Sequence, residues 1–425
     1  MNSRSYTMTM EDNKTHNNPK QLKDEESPLL LHGSSNINNN VAEASSSFTG
    51  SVFNLSTTVI GAGIMALPAA MKVLGLPIGI GAIIFLAFLT NTSLEILMRF
   101  SRVGKAGTYG DVLSGTSSNG THHFGVLEGW FGECWWTGRT FVLLMTTLLV
   151  FAPLGFFKRI DSLRYTSAIA VALAIVFLVI TAGITFVKFF NGSILSPRLF
   201  PNITGIASIW NLFTAVPVLV TAFVCHYNLH MISNELGDTS LIQPVVRVSL
   251  VLCSSIYILT ALFGLLLFGE STLDDVLANF DTDLGIPYSS LLNDIVRISY
   301  AVHLMLVFPV IFFSLRFNFN DLFFPSASSS DLDKRVFVLI TTGLVSLLYV
   351  AANFVPSIWI AFQFTGATAT VCLGFVFPAA IALRDPHGIA TKNDKIISIV
   401  MIFLAVFSNV VAIYSNIDSL FRKAS

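Results

Sequence analysis

One stretch near the N-terminus decides the fold, because it is apolar enough to cross a membrane yet carries helix breakers. Residues 51–68 read SVFNLSTTVIGAGIMALP. Gly61 and Gly63 have no Cβ, and Pro68 has no N–H and clashes with the preceding helical turn. Irregular backbone at membrane depth is tolerated only where it is buried in protein or lines a water-filled cavity. The stretch therefore predicts a membrane helix that is unwound beside a binding site.

A second interrupted stretch lies in the other half of the chain. Residues 213–228 read FTAVPVLVTAFVCHYN, with Pro217 as the breaker and a polar cluster at the end. Interrupted spans at matching places in two halves point to the binding site of a transporter. Freed N–H groups suit a carboxylate and freed carbonyls suit an ammonium group, so an amino acid fits both. The alternative is that these glycines and prolines only permit close helix packing.

The composition of the whole chain agrees with a membrane location. Of the 425 residues, 53% are hydrophobic and only 12% are charged, whereas a soluble domain carries about 25% charged residues. These values exclude a disordered chain, a disulfide-stapled secreted domain and a basic nucleic-acid binder. They predict an all-α polytopic membrane protein. Since a crossing needs about 20 apolar residues, we expect ten spans, at 49–71, 76–98, 140–157, 167–189, 208–229, 245–268, 294–315, 336–354, 357–382 and 396–416.

The loop charges predict the orientation but conflict at one place. Lys and Arg favour the cytoplasmic side, whereas segment 270–283 carries five acidic residues and no basic one and belongs on the far side. The basic loops at 99–105 and 158–164 both favour the cytoplasm, yet only the span at 140–157 separates them. Either a crossing is missing, or one basic loop lies on the unexpected side, or residues 111–139 re-enter the membrane.

The N-terminal segment has a different character. Residues 1–47 are rich in Asn, Ser, Lys and Glu, and they predict a disordered cytosolic tail before a transmembrane transporter domain at 48–425. Within the tail, Glu25 stands four positions before Leu29 and Leu30. This spacing matches an acidic dileucine motif, which sorting adaptors read on vacuolar and lysosomal proteins. The alternative is a chance match, because such short patterns are common.

Few residues in the spans can ionise. Glu95, His226 and His303 lie within or at the ends of spans, where ionisable groups are rare and are functional candidates by default. We predict that His226 or His303 senses or carries a proton, since histidine titrates between a neutral cytosol and an acidic lumen. The alternative is a neutral histidine bonded to a carbonyl. For Glu95, a pair with Arg99 at i,i+4 is the simpler interpretation.

No pattern predicts enzyme chemistry. The four cysteines, Cys134, Cys225, Cys253 and Cys372, have no spacing typical of a metal or redox site. The spans contain no nucleophile with a base and no phosphate-binding loop. We therefore predict no enzyme activity, no cofactor, no metal and no nucleic-acid partner. The expected partners are an amino acid as the small-molecule substrate, protons, the lipid bilayer and a sorting adaptor at the tail.

Three long motifs make the sequence recognisable. Besides 51–68, they are 222–236 (AFVCHYNLHMISNEL) and 362–384 (FQFTGATATVCLGFVFPAAIALR). They resemble the amino acid/auxin permease family, and within it the plant vacuolar amino acid transporters, which are similar to the mammalian sodium-coupled neutral amino acid transporters. The resemblance implies a LeuT-type bundle of two inverted five-helix repeats plus an eleventh helix, with substrate between the broken first and sixth helices. Carried over, the substrate-binding residues are Thr58, Gly61, Ala62, Gly63, Ile64, Thr221, Phe223 and Cys225.

The chain departs from this family in two respects. Relatives have a third helix where this chain has a single Gly-Asp-Val at 110–112, as if it were joined across a deletion. The sodium-coupled relatives also have an Asn where Thr57 stands and a Thr near Val307, whose side chain offers no oxygen to a hard cation. The resemblance therefore implies a proton-linked or uncoupled transporter.

Two functions remain open. The first is a secondary active transporter that moves mainly neutral amino acids across an endomembrane, from vacuole to cytosol, in the tonoplast with a cytosolic N-terminus. The alternative is a non-transporting amino acid sensor, or an inactive splice-like isoform, on the same scaffold.

Overall fold

The structure is a computed structural model that describes residues 47–103, 139–194, 198–236, 238–323, 334–354, 358–385 and 388–424. Within these ranges the chain is helical and contains no strand. The helices are α1 (Phe48–Val59), α2 (Gly63–Leu74), α3 (Leu76–Val103), α4 (Arg139–Thr146), α5 (Ala152–Gly155), α6 (Arg164–Phe190), α7 (Ile206–Leu212), α8 (Ala215–Phe223), α9 (His226–Glu235), α10 (Ile242–Phe268), α11 (Ser289–Phe323), α12 (Lys334–Phe354), α13 (Ile358–Thr365), α14 (Phe377–Arg384) and α15 (Lys392–Ala424).

The described helices confirm a polytopic membrane protein. They form eight spans that are long and apolar enough to cross a membrane, and α1 with α2 makes a ninth crossing if this bent pair is one span. Two of the eight combine several of these helices: Ser208–Glu235 contains α8 and α9, and Ala361–Arg384 contains α14. The remaining predicted span, at 140–157, forms a shorter apolar helix, Thr140–Gly155. A π-helical turn at Thr147–Phe151 joins its two parts, α4 and α5. Each predicted apolar stretch is thus helical, although one of them is short for a full crossing.

The core lies where α1, α2, α8, α10 and α11 meet. Tyr257, Tyr300, Phe177, Phe223 and Phe280 are among its largest fully buried side chains. Helices α12 and α15 are peripheral, since only 17% and 22% of their apolar windows are buried, against 50% for α10 and α11. Their exposed apolar faces are what a lipid-facing helix requires, because lipid tails are as apolar as the side chains.

Small residues bring the central helices close together. A Cβ on Gly63 would lie 2.9 Å from the Cα of Ala222 in α8, and one on Gly264 would lie 2.7 Å from the ring of Pro68. A Cβ on Gly366 would come within 2.6 Å of the Thr221 hydroxyl. Such approaches are typical of membrane helices, whose association depends on backbone contact rather than on apolar burial.

The two ends of the bundle can be told apart by their contacts. At one end, the N–H of Leu76 donates to the carbonyl of Leu199 at 3.0 Å, and the ammonium of Lys72 donates to the carbonyl of Glu270 at 2.6 Å. At the other end, the amide of Asn54 donates to the carbonyl of Ile160 at 3.2 Å. The 28 residues of α3 span about 42 Å, so its C-terminal part lies at the same end as Ile160.

This arrangement bears on the charge conflict. Because Arg99, in the last turns of α3, and the loop before α6 lie at one end, the alternative of a basic loop on the unexpected side is not supported. Residues 111–138, where the sequence allowed a re-entrant segment, and the single Gly-Asp-Val lie outside the described residues. Two of the alternatives therefore stay open, a crossing between α3 and α4 or a segment there that re-enters the membrane.

One predicted pair is wrong. Arg99 was expected to pair with Glu95 one helical turn earlier, but its guanidinium makes two hydrogen bonds of 2.9 Å to the carboxylate of Asp394 at the start of α15. This bidentate pair of charged hydrogen bonds is stronger than a single contact between Arg99 and Glu95 would be. It ties the end of α3 to the last helix and leaves Glu95 with a longer-range attraction to Arg99.

Candidate substrate site

The first break lies where the sequence predicted it. Helix α1 ends at Val59 and α2 begins at Gly63, with a bend of 55° between them. Ile60 has a φ of −75° and a ψ of 84°, outside the helical region. Pro68 does not take part in the break, because it lies inside α2 and packs on Gly264 of α10. The helix is therefore interrupted at the closely packed glycines and not at the proline.

The second break is real, but its predicted cause is wrong. Pro217 is the third residue of α8, where a helix has no internal partner for an N–H group, so the proline is tolerated there. The unwound residues are Val224, with a φ of −72° and a ψ of 119°, and Cys225, with a φ of −140° and a ψ of 7°. The two halves still form one span, Ser208–Glu235. The second break is therefore a local unwinding and not a sharp bend.

A buried tyrosine joins the two breaks. The hydroxyl of Tyr257, on α10, lies 2.5 Å from the carbonyl oxygen of Val59 and 2.8 Å from that of Ala222. These carbonyls belong to the last turns of α1 and α8, where a helix leaves its C=O groups without the usual N–H donor four residues on; the carbonyl of Val59 also accepts from the N–H of Gly61 at 2.9 Å. Because Gly63 also touches Ala222, the interrupted parts of both helices lie side by side in the core.

A second tyrosine serves the first break alone. The hydroxyl of Tyr300, on α11, donates to the carbonyl of Gly61 at 2.6 Å. Both tyrosine side chains are fully buried. The sequence reasoning missed them, since it searched the spans for charged groups and histidine. The available signal was a tyrosine within an apolar span, because a buried phenol needs a hydrogen-bond partner.

Several predicted substrate residues are brought together at the first break. Thr58 accepts a hydrogen bond of 2.7 Å from the amide of Asn228, on α9, and donates to the carbonyl of Asn54. Phe223 packs edge-on against Tyr257, with ring centroids 5.2 Å apart. The remaining members of this group line or adjoin the break itself: Gly61, Ala62, Gly63 and Ile64.

Other predicted residues face elsewhere. The hydroxyl of Thr221 donates to the carbonyls of Pro217 and Phe362, so it points towards α13 rather than the first break. Cys225 is fully buried at the second break. The Nε2 atom of His226 lies 3.0 Å from the hydroxyl of Ser93, on α3. The second break thus has a side that is turned away from α1.

The two candidate proton carriers occupy different places. The Nδ1 atom of His303, on α11, lies 2.7 Å from the carbonyl oxygen of Ala170, on α6. Its ring also lies against that of Tyr300, with centroids 4.8 Å apart. The carbonyl of Ile60 faces the imidazole, yet Nε2 makes no hydrogen bond within the described residues. His303 therefore adjoins the first break, whereas His226 faces α3.

The breaks are closed off in this structure. Ile60 and Ile64 are fully buried. Two cavities lie elsewhere among the described residues. One is an apolar crevice between α3, α8 and α15, and the other a basic cavity at the end that contains Ile160. Neither is lined by a residue of the two breaks, so the substrate site predicted between the broken helices is not one of these cavities. The sorting motif, Glu25 with Leu29 and Leu30, lies outside the described residues.

Comparison with known proteins identifies the family. The profile of the transmembrane amino acid transporter proteins matches residues 44–127 and 124–421. The chain is 57% identical to amino acid transporter AVT6B of Arabidopsis thaliana, with 93% of this chain and 95% of that protein covered. It is 58% identical to AVT6A of the same plant, in an alignment that covers 89% of this chain and 90% of that protein. Sodium-coupled neutral amino acid symporter 2 of Danio rerio is 26% identical, in an alignment that covers 80% of this chain and 76% of that protein.

The matches also bear on the length of the chain. The alignment with AVT6B extends over 434 residues, more than this chain contains, while covering 93% of it. Gaps of several tens of positions therefore open on the side of this chain. The family profile restarts at residues 124–127, between α3 and α4. The profile covers nearly the whole sequence and the relatives are named as transporters rather than enzymes, so the chain belongs to the transmembrane amino acid transporter family.

Proposed function

We propose that the chain is a secondary active transporter of mainly neutral amino acids, which holds its substrate between the two broken helices. The observation that carries this proposal is the contact between the breaks, where Gly63 touches Ala222 and Tyr257 bonds to a carbonyl of each helix. A zwitterion needs one group of N–H donors and one group of carbonyl acceptors. Two helix breaks that face each other supply both.

The substrate would use main chain for its common groups and side chains for selectivity. The N–H groups of Ala62 and Gly63, at the start of α2, would receive the carboxylate, since a helix N-terminus favours an anion, whereas the N–H of Gly61 donates to the carbonyl of Val59. Carbonyls at the ends of α1 and α8 would receive the ammonium group after Tyr257 moves. Ile64, Phe223 and Cys225 would form the apolar wall that selects the side chain, with Thr58 and Thr221 at the edges.

A LeuT-type bundle is the architecture that we propose for this mechanism. In that fold the two broken helices open the two inverted repeats, and the broken pairs α1–α2 and α8–α9 follow that pattern. This assignment makes α8 with α9 the sixth helix of the family and leaves the third helix without a counterpart in the described residues. The gaps against AVT6B and the restart of the family profile support a shortened first repeat.

We propose proton linkage rather than sodium coupling. The hydroxyl of Thr57 donates to the carbonyl of Ser167 at 3.0 Å, and the side chain of Val307 packs opposite Gly61, 3.8 Å from where a Cβ would stand. A hydrocarbon at Val307 contributes no oxygen ligand, and sodium, like other hard cations, is bound through oxygen. The imidazole of His303 lies beside the same break, so its protonation would place a positive charge there instead. His226, beside Ser93, is the second candidate.

The proposed location is the vacuolar membrane, with the N-terminus in the cytosol and transport from vacuole to cytosol. Arg99, near the end of α3, and the basic residues around Ile160 lie at one end of the bundle, and basic loops favour the cytoplasmic side. The acidic segment 270–283 follows α10, whose C-terminal end carries the Lys72 contact at the opposite end. The motif at Glu25, Leu29 and Leu30 would direct the protein to this membrane.

Counterflow in liposomes tests this function. Full-length protein is reconstituted in vesicles loaded with an unlabelled neutral amino acid, and entry of the labelled compound is followed. We expect saturable exchange that is unchanged when choline replaces sodium and that responds to an imposed pH difference. Saturable binding without flux would instead establish the sensor alternative, which the shortened stretch between α3 and α4 favours. Flux that requires sodium would contradict the proposed coupling.

A further inference from the structure

The basic cavity has no part in the transport site described above. It measures about 510 Å³ and lies between the loop before α6, the end of α9, the end of α11 and the start of α12. This volume is within the range of small-molecule sites. Its polar lining includes four basic side chains and one acidic side chain: Lys158, Arg159, Arg316, Lys334 and Glu235.

The balance of charge in the cavity is strongly positive. The carboxylate of Glu235 accepts a hydrogen bond of 3.1 Å from the N–H of Ile160, so it is committed in part to holding the loop. Lys158 and Lys334 are exposed at the rim. A concave surface lined by one sign of charge focuses the field and attracts the opposite charge. The excess of cations therefore favours an anionic ligand.

Arg316 gives the cavity a fixed, buried cation. Its side chain is only 3% exposed, and its guanidinium donates to the carbonyls of Gly155 and Phe157. The same group lies over the ring of Phe337, 4.5 Å from its centroid. Among the described residues no carboxylate forms an ion pair with it. A cation buried without a counter-charge is costly, and an anion in the cavity would lower that cost.

We propose that this cavity binds a phosphate-bearing polyanion, either the phosphorylated headgroup of a membrane lipid or a free inositol phosphate. A guanidinium held in place beside two flexible ammonium groups is a set of donors well suited to phosphate oxygens. Basic pockets between helices on the cytoplasmic side recognise such headgroups. Phe313, Phe317 and Met231 line the remainder of the cavity and offer an apolar wall to the rest of the ligand.

The ligand would also touch α9, the helix that follows the second break. Asn234 and Glu235, at the end of α9, line the cavity together with the loop at Lys158. A polyanion bound there would fix α9 against α11 and α12. Occupancy would therefore alter transport through the position of α9. The binding itself depends on the cavity and on its cytoplasmic side, and it can be measured without any transport.

The test compares two double variants of the full-length protein in nanodiscs. K158Q/K334Q removes two exposed charges from the cavity. K392Q/K395Q removes two exposed charges at the same end of the bundle but outside the cavity, at the start of α15, and serves as the matched control. One arm measures binding of soluble inositol hexakisphosphate to nanodiscs of neutral lipid. The other arm compares thermal stabilisation by phosphatidylinositol bisphosphate with that by phosphatidylserine at equal total charge.

We expect K158Q/K334Q to weaken binding by about tenfold or more, with the control within about twofold of the unmodified protein. Loss in the lipid arm alone identifies a headgroup as the ligand, and loss in the soluble arm identifies a free polyanion. Equal effects of the two double variants in both arms would overturn the proposal. An acidic peptide that binds when neither phosphate probe does would overturn it as well. Failure of counterflow leaves this measurement unaffected, so the two proposals fail independently.

Discussion

The two breaks differ in how they are made. The first, at residues 60–62, contains Gly61, is followed directly by Gly63 and bends the span by 55°. Tyrosine hydroxyls bond to the carbonyls of Val59 and Gly61. The second, at Val224 and Cys225, unwinds the chain without a glycine and without a sharp bend. The position of the first break can thus be predicted from the glycines in the local sequence. The second break depends instead on contacts with neighbouring helices, through residues such as Ser93 and Tyr257.

Because of this difference, we expect the two breaks to play different parts in transport. A sharply bent break that is held from outside by two tyrosines is a fixed half of a site, because its carbonyls have partners on α10 and α11. A shallow break that ends in a short polar helix, α9, can change its direction with smaller rearrangements. We therefore expect substitutions at the first break to have larger effects than those at the second.

The largest effect is expected where the two breaks touch. Gly63→Val places a branched side chain where even a Cβ lies 2.9 Å from the backbone of Ala222. Overpacking of this kind costs about 1–3 kcal/mol and would push the breaks apart, so we expect counterflow to fall to background. Gly81→Val is the control, because nothing lies within 4 Å of a Cβ at Gly81 on α3. Normal counterflow by Gly63→Val would show that the contact is not needed.

An intermediate effect is expected at the tyrosines. Tyr257→Phe removes the hydroxyl from two buried carbonyls and Tyr300→Phe from one. Loss of a buried hydrogen bond costs about 0.5–1.5 kcal/mol, so the unfolding temperature should fall in both variants. Tyr288→Phe is the control, since Tyr288 is 79% exposed. Equal melting of Tyr257→Phe and Tyr288→Phe would remove the tyrosine link from the account.

The smallest effect on the rate, but a specific one, is expected at the histidines. His303 adjoins the first break and His226 faces α3. His303→Gln should retain exchange yet flatten the dependence of net uptake on an imposed pH difference. His226→Gln should keep that dependence if His303 is the proton carrier. The opposite pattern would move the role to the second break, and two unchanged profiles would exclude both residues.

The sequence could predict those features of the fold and the site that depend on residues close together in the chain. Apolar length gave the positions of the helices, and the paired glycines gave the first break. It placed the second interruption at Pro217, because it could not show that this residue falls in the first turn of α8. The pairing of Arg99 with Asp394 was likewise out of reach, since 295 positions separate them. The roles of Tyr257 and Tyr300 also depend on contacts between distant helices.

The most direct test of the central claim asks whether both charged ends of the substrate are recognised by the facing breaks. Counterflow of a labelled neutral amino acid is measured in the presence of the same compound as the free zwitterion, the N-acetyl derivative or the methyl ester. We predict that only the zwitterion competes, because each derivative loses one of the two groups that the main chain would hold. Competition by either derivative at the strength of the zwitterion would contradict the account.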